Sequence, residues 1–90
     1  MSEQDDFVGR VRGLVIGLWG YLSADECAEV EHLIDHDEIG EALRALAWII
    51  VEEDKRVPAS SIATIRELVD GLVEPEHMPD NLDDHAVRSS

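Results

Sequence analysis

Basic residues are scarce in this 90-residue chain, which has seven Lys and Arg against 21 Asp and Glu and a formal net charge of −14. Between Gly13 and Leu43 there is no Lys or Arg at all. Nucleic acid and anionic membrane surfaces are both bound through clustered cations, so neither is an expected partner. Aromatic residues make up only 4% of the chain, which leaves Leu, Ile, Val and Ala to build the core. The single cysteine, Cys27, rules out an internal disulfide. No apolar run approaches the ~20 residues of a membrane helix, since the stretch Gly13–Leu22 is interrupted by Gly17 and Gly20. The start, Met1-Ser2-Glu3-Gln4-Asp5-Asp6, is acidic where a signal peptide is basic, so a cytoplasmic location is expected.

What is present is helical periodicity. Phe7, Val8, Val11, Leu14, Val15, Leu18 and Trp19 recur at three and four, which lines up one face of a first helix capped by Asp5 or Asp6 and ending near Gly20. Gly9, Gly13 and Gly17 share one edge of it, marking either a close helix–helix approach or a plain weakening of the helix. Ser23-Ala24-Asp25-Glu26 has the pattern of a capping box and opens a second helix with the inner stripe Cys27, Val30, Leu33 and Ile34. Asp37 is positioned to cap a third, Glu38 to about Asp54, whose apolar residues Ile39, Leu43, Leu46 and Ile50 and their neighbours cover more than one side, as in a central helix. Val57-Pro58 precedes a fourth, from Ala59 to Val73, with Ile62, Ile65, Leu68, Val69 and Leu72 as its face. The segment 74–90 carries Pro75, Pro79, five acids and one Arg with no apolar period, and reads as a disordered acidic tail. The expected fold is therefore all-α, a bundle of about four helices over residues 1–73 followed by that tail.

The acids are not spread evenly. Asp25, Glu26, Glu29, Glu31, Asp35, Asp37, Glu38 and Glu41 place eight of the 21 on the 18 residues from Ala24 to Glu41. On a helix with the stripe above, Asp25, Glu29, His32, Asp35 and His36 project outward while Glu26 and Glu31 flank the stripe. Charge of one sign at this density opposes compaction, and beyond solubility its commonest use is a basic partner.

Signals for catalysis are lacking. There is no G-x-S-x-G elbow, phosphate loop or dinucleotide fingerprint, Cys27 falls on the apolar stripe, and Ser60 and Ser61 sit where a helix begins, so no enzyme and no cofactor are expected. His32 and His36 have a spacing that suits two ligands of one metal, but they lack a second ligand cluster and read as solvated residues among carboxylates, so no metal is assigned. Trp19 and Trp48 are candidate interface anchors that lie on stripes better read as core. Whether the chain associates with itself is left open by its sequence.

The stretch Leu22 to Leu72 resembles the MafI-like immunity proteins of bacterial polymorphic toxin and contact-dependent inhibition systems. The likeness is carried by the Leu22-Ser23 start, Val30, Leu33-Ile34-Asp35-His36-Asp37-Glu38, and Gly40-Glu41-Ala42-Leu43 followed by an apolar run ending in Glu52-Glu53. Asp37 stands where such proteins often have Gly. The resemblance implies a small helical protein that neutralises a cognate toxin domain, such as a nuclease with a basic cleft. The contact residues expected from the acidic face are Asp25, Glu29, His32, Asp35, His36, Asp37, Glu38 and Glu41. Two other classes remain open: an acidic adaptor or carrier domain, although the Asp-Ser-Leu of an acyl carrier is absent, and a regulator that mimics DNA toward a basic protein.

Overall fold

The computed structural model describes residues 3–87. Four helices follow one another, α1 Glu3–Gly17, α2 Ala24–Asp35, α3 Ile39–Glu52 and α4 Ala59–Val69. A two-residue parallel pair joins β1 Val57–Pro58, ahead of α4, to β2 Ala86–Val87 near the end of the chain. Helix α3 is the centre, with Ala42, Leu43, Leu46, Ala47 and Ile50 fully buried and α1, α2 and α4 packed around it. Burial at that spacing follows from its apolar residues lying on more than one side.

The helix ends differ from expectation in ways that local chemistry explains. Helix α1 is already under way at Glu3, so Asp5 and Asp6 lie inside it and do not cap it. It stops at Gly17, three residues early, and passes into tight turns in which Trp19 N–H reaches the Ile16 carbonyl and Tyr21 N–H reaches that of Leu18. Ser23 caps α2 as its motif predicts: its hydroxyl accepts from Glu26 N–H at 3.1 Å, and the Glu26 carboxylate accepts from Ser23 N–H at 2.8 Å. Both α2 and α3 close with a Schellman motif. Glu38 N–H bonds Leu33 O and Asp37 N–H bonds Ile34 O after α2, while Lys55 N–H bonds Ile50 O and Asp54 N–H bonds Val51 O after α3. The left-handed position of each is an aspartate, Asp37 at φ 63° and Asp54 at φ 50°, so Asp37 occupies the conformation that favours glycine instead of capping α3. Helix α4 ends at Val69, and Gly71 at φ 83° turns Leu72 out to solvent, away from the face on which its spacing placed it.

The three glycines of α1 do not mark a packing contact. A Cβ at Gly9, Gly13 or Gly17 would meet no neighbouring atom within 4 Å. Gly13→Ala is therefore expected to stabilise the protein by about 0.5–1 kcal/mol, read as a raised thermal midpoint, because alanine loses less backbone entropy in a helix interior.

The tail from Glu74 is not the disordered segment its composition implied. Short 3₁₀ turns at Pro75–His77 and Leu82–His85 lay it across the bundle, with Met78, Leu82 and His85 buried against the shared core. Side chains of the bundle hold its backbone. Trp48 Nε1–H donates to the His77 carbonyl at 2.8 Å, and Arg56 donates to that of Asp84 at 3.0 Å. His85 Nδ1 lies 2.9 Å from the Lys55 carbonyl. A carbonyl only accepts, so that ring nitrogen carries the proton. Arg66 adds an ion pair to Asp83. The described part of the bundle expected over 1–73 and the described part of the segment after it thus share one core, and residues 1–2 and 88–90 lie outside the described residues.

Candidate functional site: an acidic face on the second helix

Helix α2 buries Val30 and Ile34 and half-buries Cys27 and Leu33. That stripe leaves Asp25, Glu29, His32, Asp35 and His36 exposed and Glu26 and Glu31 partly covered at its edges, as the helical spacing requires. The turn into α3 continues the face through the exposed Asp37, Glu38 and Glu41. All eight expected contact residues are therefore on the surface, spread over α2, the turn and the first turn of α3. The rings of His32 and His36 lie against each other, with centroids 4.2 Å apart and planes inclined by 55°. Among the described residues no group of three or more His, Cys, Asp or Glu is placed to hold a metal ion.

Ion pairing divides the acids into two sets. Lys55, brought up by the end of α3, bonds Glu26 at 2.9 Å with both side chains largely covered, at 22% and 17% exposure. Arg12 of α1 reaches Asp35 at 2.6 Å, and Arg44 reaches Glu41 at 3.2 Å. The remaining described cations are engaged elsewhere, Arg10 with Glu67, Arg56 with Asp54 and Arg66 with Asp83. No described Lys or Arg is left over for Asp25, Glu29, Glu31 and Glu38, which form no ion pair among the described residues.

The paired set is part of the fold. The Lys55 hydrogen bond, aided by the backbone N–H of Ser23, holds Glu26 below the ordinary carboxylate range against its desolvation. A carboxyl whose folded value is depressed binds its proton more readily when unfolded. Its stabilisation is present above the unfolded value and is lost as pH falls through the folded one. Glu26→Ala removes both the capping box and this pair, and is expected to lower stability by about 1–2 kcal/mol at neutral pH and less in acid, measured by denaturant unfolding across pH. Asp35 is likewise lowered, chiefly by its hydrogen bond from Arg12, with His36 and His32 adding to the effect. In contrast, desolvation and then the charges of Glu31 and Glu26 push the Cys27 thiol up, which makes its thiolate scarce.

One component of this surface was misread from the sequence. Trp19 is not core: it is 51% exposed, in the turn that follows α1, and Ile16 near the end of that helix is 56% exposed. The early end of α1 at Gly17 turns it outward. Arg12 and Ile16 fall at i and i+4 on α1, and the Arg12–Asp35 bridge sets that edge beside α2. Trp19 consequently borders a groove with Leu22, Ala24, Cys27, Ala28 and Glu31. Trp48, the other candidate anchor, is half-buried and committed to the tail.

No family model matches the chain, and no match is found among curated proteins or solved structures. No helix of the described residues is long and apolar enough to cross a membrane.

Proposed function

We propose that the protein binds a basic protein domain through the outer side of α2 and the turn into α3, and that it acts as an immunity protein toward a bacterial toxin. The observation that carries the reading is the unneutralised set Asp25, Glu29, Glu31 and Glu38, on a molecule whose described cations are all committed to other acids. Carboxylates arranged this way repel one another in the free protein and gain most from a cationic surface, which they attract over a distance of about one Debye length, ~8 Å at physiological salt. The resemblance over Leu22 to Leu72 supplies the toxin as the class of partner. A nuclease has a basic cleft for phosphates, and a row of carboxylates on a helix presents comparable charge to it.

An immunity role requires a large secreted protein with a variable C-terminal domain encoded next to this chain, and the decisive experiment uses that domain. Producing that domain alone should arrest growth, and producing this chain with it should restore growth and yield a complex that survives gel filtration. Arrest unrelieved by this chain, with no complex formed, would overturn the immunity reading.

A further inference from the structure

The groove beside Trp19 combines two features that the acidic face alone does not have. An indole half open to solvent forms one wall, and Ala24 and Ala28 are small enough to leave the space next to it open, at about 400 Å³. Glu31 lies at the same groove, partly covered and without an ion pair among the described residues. Ile16, three residues before Trp19, and Tyr21, two residues after it, are exposed as well. A large exposed aromatic that shares a groove with an unpaired carboxylate fits one side-chain chemistry better than any other: a planar cation that stacks on the ring and donates a two-pronged hydrogen bond to the acid. Lysine supplies the charge but neither the plane nor the fork. A second copy of this chain is disfavoured as the occupant, because it carries the same net charge of −14.

We infer that Trp19 and Glu31 form a socket for an arginine side chain of the partner, at the α1 edge of the acidic face. The inference rests on the reading that the partner is basic, and specifies which of its residues anchors it. Asp25 and Glu29, farther round α2, attract either cation, whereas the socket discriminates between them.

The test uses two blocked Gly/Ser peptides, identical except that one carries four arginines and the other four lysines. The chain has two tryptophans, so its indole N–H resonances are two, and Trp19→Leu assigns them. Titration with the arginine peptide should shift the Trp19 resonance and leave that of Trp48 in place, with affinity about threefold to fivefold above that of the lysine peptide. Trp19→Leu and Glu31→Gln should each abolish this preference, while Glu53→Gln, which removes an exposed acid at the end of α3, should keep it. Equal affinity of the wild-type protein for both peptides, or a preference that survives Trp19→Leu, would overturn the socket. The two readings fail separately. Weakening of both peptides by Asp25→Lys/Glu29→Lys without any arginine preference removes the socket and keeps a cation-binding face; an intact preference with no relief of toxin arrest keeps the socket and removes the immunity role.

Discussion

A chain ended at Val73 is expected to lose its cooperative thermal transition at room temperature, although every residue removed lies beyond the four helices. Met78 and Leu82 each bury a side chain in the common core, with Leu82 fully inaccessible. Burial of two such side chains contributes about 3–6 kcal/mol, which is comparable with the total stability of about 5–15 kcal/mol of a small domain. Truncation also leaves the Lys55 carbonyl and the Trp48 indole N–H without the partners that His85 and His77 provide. The milder variant Leu82→Ala keeps those bonds and should lower stability by about 2–5 kcal/mol, since it opens a cavity in a site with no solvent access. Far-UV circular dichroism on heating measures both. A truncated chain that melts like the full one would show that the segment after Glu74 rests on a bundle that does not need it.

The second large effect is on association with the basic partner proposed for the α2 face. Reversing Asp25 and Glu29 to lysine changes the charge of the α2 face by four units while touching no ion pair of the fold. Asp35 is a poorer choice, because a lysine there would face Arg12 and disturb the α1–α2 contact. The double variant is expected to fold normally and to bind the toxin domain with an association rate reduced on the order of tenfold at low ionic strength, with a smaller dependence of that rate on salt. Stopped-flow association at two salt concentrations reads both quantities. A variant that associates as fast as wild type would place the interface on another surface.

Most of the bundle was legible because helical stripes are a local signal. The Ser23–Glu26 box fixed where α2 begins, and the apolar residues on several sides of α3 marked it as central. Even the exposed set on α2 follows from spacing around Val30 and Ile34. What escaped depends on contacts distant in sequence. The tail has only the anchors Met78 and Leu82, four apart among prolines and acids, and what makes them core is the surface offered by the helices, α3 and α4 in the case of Leu82. Trp19 continued the apolar stripe of α1 in sequence, yet its direction was decided by a helix end three residues early, at a boundary that periodicity does not resolve. Which acids are neutralised was also invisible, because Arg12–Asp35 and Lys55–Glu26 pair residues that only the packing of α1 and α3 against α2 brings together. The gap in basic residues between Gly13 and Leu43 is thus closed in part from outside it, and the face free for a partner is narrower than the composition implies.

Carbodiimide labelling of carboxylates, with and without the toxin domain bound, tests the central claim most directly. Asp25, Glu29, Glu31 and Glu38 should react in the isolated protein and become protected in the complex, while the exposed acids Asp70 and Asp80, which border a different groove, keep their reactivity. Protection confined to the segment after Glu74, with the α2 acids still fully labelled, would contradict it.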